Sequence, residues 1–290
     1  MKPTHASFDP EAVPVQLAAT VLLVDDRPDL HVLCLRRRAG SNFVGGMTVF
    51  PGGGVDEHDA HADYADVTYG RDDADACARL EIPDASAYWV AVVRETLEEV
   101  GVLLACDAQG RPCSPDAGAR HRHAVDHGER MLLDVLREES LLLDAGAIHD
   151  VGRWITPVGP PRRYDTRFFI ASLPADQVAI EDSVEAVHAE WRRPADALAE
   201  WHAGGLVMLP PTVAWLQVLA TFPTAAELVA LARTACGPGV SPRVVGDDRG
   251  SFRVLFPGQV GYEETDARDA LAWVYDVFVA AAGGQRSLEA

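Results

Sequence analysis

The segment from Ala87 to Gly101, AYWVAVVRETLEEVG, constrains this chain more than any other. Trp89, Val92, Val93, Thr96, Leu97 and Val100 recur near the i, i+3, i+4, i+7 spacing of a buried helix face, while Arg94, Glu95, Glu98 and Glu99 fill the gaps. Gly101 supplies the stop. Glu95 lies three residues from Glu98 and four from Glu99, so their side chains can converge on one side of the helix, where they repel. They also crowd the helix C-terminus, where the macrodipole disfavours negative charge. A hard divalent cation relieves both penalties, because Mg2+ takes oxygen ligands and keeps waters and substrate phosphates in its shell. The plain alternative is a solvated charged face, the commonest fate of such a run.

Upstream, FVGGMTVFPGGGVD (Phe43 to Asp56) runs from a short strand into Pro51 and three glycines, a loop whose backbone can approach a ligand closely. Before it, VQLAATVLLV (Val15 to Val24) reads as a strand, DDRPD as a turn and HVLCLRRR (His31 to Arg38) as the returning strand. Residues 57–83 are rich in Asp, Ala and His and read as an insertion with one short helix. After the carboxylate helix, Val102 to Ala105 reads as a buried strand, GERMLLDVLREESLLL as a helix and Arg162 to Leu173 as a strand. VHAEWRRPADALAEW reads as a strand end turning into a helix with Pro194 in its first turn. These elements predict an α/β (α+β) domain over residues 1–208 and a mostly helical extension over 209–290, packed on the core or serving as a dimer interface.

The 290 residues suit one core with additions, and 48% hydrophobic with 24% charged residues is an ordinary globular composition. The formal net charge of -19 repels nucleic acid and anionic membranes, and an anionic small substrate then needs local cations. Candidates are Arg36, Arg37 and Arg38, and Arg162, Arg163 and Arg167, where strand alternation puts Arg163 and Arg167 on one face. Five cysteines without a C-x-x-C pair suggest a reducing, cytoplasmic setting, and no apolar run is long enough to span a bilayer. His121, His123 and His127 lack the company of a zinc site and read as exposed.

PGGGVDEHD followed by RETLEEVGV resembles the two halves of a Nudix box, G-x5-E-x7-R-E-U-x-E-E-x-G-U with U aliphatic. Gly53 falls on the box glycine and Asp59 on the first acidic position, with Thr96 in an aliphatic slot. Between Asp59 and Arg94 lie 34 residues instead of seven, an excess of 27. A split box with VFPGG before it is similar to the long-insert Nudix branch that holds the mammalian peroxisomal coenzyme A diphosphatase, over most of Ala18 to Trp201. The coenzyme A signature R-[SA]-x3-R-x3-G-x3-FPGG is met at Arg37, Gly46 and FPGG, but Arg38 and Asn42 replace its small residue and second arginine.

The resemblance implies a Nudix α/β/α sandwich with a mixed sheet, and Mg2+ or Mn2+ held by Glu95, Glu98, Glu99 and the Gly53 carbonyl. It implies that Arg94 holds the glutamates with Asp59 as its partner, and that Arg37, Gly46, Phe50, Gly52 and Gly53 line the substrate. The general base is left open between Glu95 and a further acidic residue, Glu190 ahead of Glu185. The implied reaction is hydrolysis of a small-molecule diphosphate, coenzyme A or acyl-coenzyme A first. ADP-ribose, NADH or a dinucleotide polyphosphate are the alternatives within the class, and a non-catalytic nucleotide sensor the alternative outside it.

Overall fold

The computed structural model describes residues 9–36, 46–180, 188–236, 239–246, 252–263 and 271–281. β1 (Val15–Asp26) and β2 (Leu30–Arg36) form the expected hairpin, with Val24 opposite Val32 and Asp26 opposite Leu30. β1 is apolar on both faces: Ala19, Val21 and Leu23 point one way, Leu22 and Val24 the other, and all are buried. Such a strand lies inside a sheet covered on both sides. β3 (Thr48–Val49) pairs with β2, and β4 (Gly52–Gly54) lies on β1 with Gly53 opposite Ala19.

The insertion forms two 3-10 turns, a short β5 (Thr68–Tyr69) and α1 (Asp73–Leu80), capped by the Asp72 side chain on the Asp75 N–H. α2 (Ser86–Val100) is the carboxylate helix, and Gly101 closes it in the left-handed conformation at φ 68°. Its apolar stripe packs on the Ala19–Val21–Leu23 face, with Trp89 edge-on to Phe169 at 4.9 Å and its indole N–H donated to the Ile148 carbonyl. The predicted strand at Val102 to Ala105 is buried but narrows to β6 (Ala105–Cys106). α3 (Pro115–Asp126) then precedes α4 (Leu132–Glu138) and β7 (Leu142–Asp144), which joins β5 and β6 in a small sheet.

β8 (His149–Ile155) pairs antiparallel with β9 (Arg163–Ser172), which runs parallel to β1 along Val15 to Val24. β10 (His188–Arg192) adds to the far side of β2, and α5 (Pro194–His202) follows with Pro194 in its first turn. The remainder supplies α6 (Pro210–Leu219), α7 (Ala225–Thr234), β11 (Gly239–Val240), a hairpin of β12 (Arg243–Gly246) and β13 (Phe252–Leu255), β14 (Leu271–Tyr275) and α8 (Asp276–Ala281). The central sheet runs β10-β2-β1-β9-β8-β14-β11, with β3 and β4 attached. It is mixed, with helices on both faces, and the extension lengthens it by two strands.

Candidate active site

The last two turns of α2 present their carboxylates to the glycine loop. Gly52 donates its N–H to Glu99 Oε2 at 2.8 Å. A Cβ on Gly53 would lie 2.4 Å from Glu95 Oε1, so only glycine leaves room for that carboxylate. Gly52 has φ +145°, and a Cβ there would strike the Ala19 carbonyl oxygen at 2.3 Å, so the turn into β4 also requires glycine. Thr96 turns inward, wholly buried, and donates its hydroxyl to the Val92 carbonyl at 2.6 Å.

Arg94 is the centre of the cluster. Its Nε and Nη2 donate to the two oxygens of Asp59, each at 2.9 Å, in a bidentate contact. Nη1 donates to Glu95 Oε1 at 2.8 Å and Glu98 Oε2 at 2.9 Å, and Nη2 also reaches the Gly54 carbonyl at 2.8 Å. Asp59 is buried and accepts from the Asp56 N–H at 2.8 Å, so the two halves of the split motif are joined through one carboxylate. Burial works against the Arg94 charge, but Asp59, Glu95 and Glu98 outweigh it and hold the guanidinium protonated. Burial, opposed by Arg94, holds the Glu95 carboxyl above its ordinary range. Burial also pushes Glu98 up to about 7, with the Glu95 charge adding to the shift and Arg94 opposing it.

Three carboxylates beside a carbonyl-rich loop form an all-oxygen donor set, the chemistry a hard divalent cation takes. Among the described residues no three acidic, histidine or cysteine groups are gathered tightly enough to hold an ion as they stand, and at this site Arg94 bridges Glu95 and Glu98. The donor types fit the ion; the side-chain positions are those of the arginine-bridged arrangement.

Other sequence candidates lie elsewhere. Glu190 on β10 opposes Cys34, whose side chain joins the buried face away from α2. It accepts from Arg192 at 2.7 Å and lines a polar cleft of about 100 Å³ with Arg36, Thr48, His188 and Arg192. Gly46 is left-handed at φ +77°, and Phe50 is buried on the same face as Cys34. Arg37, Arg38, Asn42 and Glu185 lie outside the described residues. Arg163 is half-buried and donates to the Thr156 carbonyl at 3.1 Å. Arg167 shares that strand face but is 7% exposed and donates to the Leu80 carbonyl at the end of α1. His121 is buried against Glu139 at 2.7 Å, correcting its reading as exposed, whereas His123 and His127 stack on the surface.

Arg122 is a site residue that sequence reasoning missed. Its guanidinium lies against the carbonyls of Glu98 and Glu99, and no spacing relative to the box marks it.

Fold and site together define a Nudix hydrolase domain, and the comparisons place it within that class. The chain belongs to the family described as the NUDT19 Nudix domain, whose model matches residues 68–219, just over half its length. It is 26% identical to the human acyl-coenzyme A diphosphatase NUDT19 over 68% of this chain and 62% of that protein. It is 27% identical to the putative nudix hydrolase 7 of Caenorhabditis elegans over 68% of this chain and 57% of the other. The chain thus spans less than two thirds of the length of these curated relatives. Among solved structures, a NUDIX hydrolase from Alicyclobacillus acidocaldarius superposes with a TM-score of 0.63 at 29% identity, covering 78% of this chain and all of that one.

Proposed function

We propose that the chain is a metal-dependent diphosphatase acting on a nucleoside diphosphate derivative. The substrate is coenzyme A or an acyl-coenzyme A, cleaved to 3',5'-ADP and (acyl-)4'-phosphopantetheine. The observation that carries the reading is the cluster of Glu95, Glu98 and Glu99 seated on Gly52 and Gly53 and ordered by Arg94. A non-catalytic sensor has no need of three carboxylates held against repulsion. Mg2+ or Mn2+ bound by Glu95, Glu98, Glu99 and the Gly53 carbonyl would supply neutralisation of the diphosphate and acidification of a water. In hydrolysis the water oxygen attacks one phosphorus, the bridging P–O bond breaks toward the other phosphate, and the water's proton leaves to a base. Glu95 is the better base, since it stands beside Gly53 whereas Glu190 faces the other side of the sheet. Arg94 stays with Asp59 and keeps the acidic groups in register.

The name of the human relative supports the coenzyme A assignment, as does Gly46 with VFPGG. No helix among the described residues is long and apolar enough to cross a membrane, and the five cysteines are free thiols. Coenzyme A, an acyl-coenzyme A, ADP-ribose, NADH and a diadenosine polyphosphate, each supplied with Mg2+ or Mn2+, test the proposal by mass-spectrometric identification of products. Phosphopantetheine and 3',5'-ADP are the expected products, with kcat/KM highest for the coenzyme A compounds. A clear excess for ADP-ribose overturns the coenzyme A assignment, and no cleavage of any compound overturns the diphosphatase reading.

A further inference from the structure

We propose that Arg122, on α3 and outside both halves of the split motif, is a positioning residue that sets where the Glu98 and Glu99 carboxylates stand. The inference rests on the function proposed above. The approach of α3 to the end of α2 is set by Gly118: a Cβ there would lie 2.2 Å from the Gly101 carbonyl oxygen, so only glycine lets the two backbones meet. One turn later Arg122 reaches back across Gly101. Its Nε donates to the Glu98 carbonyl at 2.9 Å and its Nη2 to the Glu99 carbonyl at 2.5 Å. Its Nη1 donates to the Ile180 carbonyl at 2.9 Å, and the Ile180 N–H in turn donates to the Val100 carbonyl at 2.9 Å. One guanidinium therefore ties the last turn of α2 both to α3 and to the segment that follows β9.

The physical reason for a cation at this place is specific. The last carbonyls of a helix lack intrahelical donors and carry its negative end, and here two acidic side chains leave from the same residues. A planar fork satisfies two successive carbonyls at once and fixes the backbone from which Glu98 and Glu99 project; an ammonium gives one point of charge and cannot span both. Both contacts are to backbone carbonyls, so they act on the acidic groups through the helix end that carries them. Arg94 and Arg122 thus divide the task, one gathering the side chains and the other holding the helix end.

The test uses the full chain and three variants, Arg122→Ala, Arg122→Lys and Gly118→Ala. Mn2+ affinity is measured by isothermal titration calorimetry without substrate, beside kcat, KM and thermal midpoint. For Arg122→Ala, Mn2+ affinity and kcat should each fall by about 10- to 100-fold, the usual effect of losing a group that orients metal ligands, while KM stays within about twofold. Arg122→Lys should recover only part of both, and millimolar methylguanidine should restore Arg122→Ala. Gly118→Ala, which pushes α3 off the helix end, should weaken Mn2+ binding in the same direction. A folded Arg122→Ala whose melting point drops while Mn2+ affinity and kcat match the wild type overturns the proposal. If Arg122→Ala does not fold, Arg122→Lys decides the matter, and wild-type Mn2+ affinity in that variant overturns the proposal equally. A wild-type chain that binds no Mn2+ instead overturns the functional reading, and the inference with it.

Discussion

Gly52 and Gly53 are neighbours with separable duties. At Gly53 the obstacle is the Glu95 side chain: a methyl group would stand 2.4 Å from its Oε1 and push that carboxylate aside. Gly53→Ala should therefore keep its melting temperature and lose about 100-fold in kcat, since a displacement of about 1 Å in a reacting site has that effect. At Gly52 the obstacle is backbone, and φ is +145°, so Gly52→Ala should lose about 1–3 kcal/mol of stability. Parallel melts and rate measurements check both; equal losses of stability in the two variants would refute the division. Glu98 adds a pH dependence. Its carboxyl stands near 7 in the fold against an ordinary value of 4.5, so the folded state holds a proton that the unfolded chain releases. A raised acid contributes most stability below 4.5 and loses that contribution as pH rises through 7. The melting temperature of the metal-free protein should accordingly decline between about pH 5 and about pH 8, and Glu98→Gln should flatten that decline. An unchanged slope in Glu98→Gln would assign the effect to another group.

At the scale of elements, what was legible in the sequence depended on whether a buried face is made of large apolar residues. α2 was legible because Trp89, Val92, Val93, Leu97 and Val100 mark one stripe and Gly101 its end, and the carboxylates were legible because they crowd the gaps beside that stripe. α3 was not, because its buried face of Ala117, Gly118, His121 and Val125 is mostly small or polar, so its helical spacing carries little apolar signal. Arg122 was hidden with it. β14 was missed for another reason: LAWVY is a continuous apolar run, and such a run fits a buried strand or a helix equally. On β9 the alternation was right. Arg163 and Arg167 share a face, but Arg167 is sealed beneath the end of α1, close enough to buried Asp150 to oppose the upward push of burial on that carboxyl. Removing Arg167 takes a countercharge from the interior, so Arg167→Ala should cost about 3–5 kcal/mol, whereas Arg163→Ala should leave the melting temperature nearly unchanged. A raised KM with wild-type stability in Arg167→Ala would return that arginine to the substrate.

For the whole molecule, the boundary drawn at residue 208 runs through a shared hydrophobic core. The family match already crosses it, running to Leu219 at the end of α6. The face of the central sheet away from α2 carries Leu22, Val24, Val32 and Ile170, and these are buried against Val213, Trp215, Leu216, Leu228 and Phe278 of the extension. β14 pairs with β8, placing Val274 opposite Gly152, where a Cβ would meet the Trp273 carbonyl oxygen at 2.6 Å. Through these side chains the extension packs on the sheet. Without residues 209–290 the sheet would present an apolar face and an unpaired β8 edge to water, a combination that favours aggregation. Residues 1–208 expressed alone should therefore be insoluble or lack a cooperative melt, even though they contain every carboxylate of the candidate site. A milder form of the experiment keeps the chain intact. Trp215 is 1% exposed between Phe168 and Phe278, and Trp215→Ala should cost about 3–5 kcal/mol while leaving kcat of the folded protein unchanged, because the site lies across the sheet. A truncated 1–208 chain that melts cooperatively, together with a Trp215→Ala variant of wild-type stability, would show that the extension is an appendage and that the sheet is complete without it.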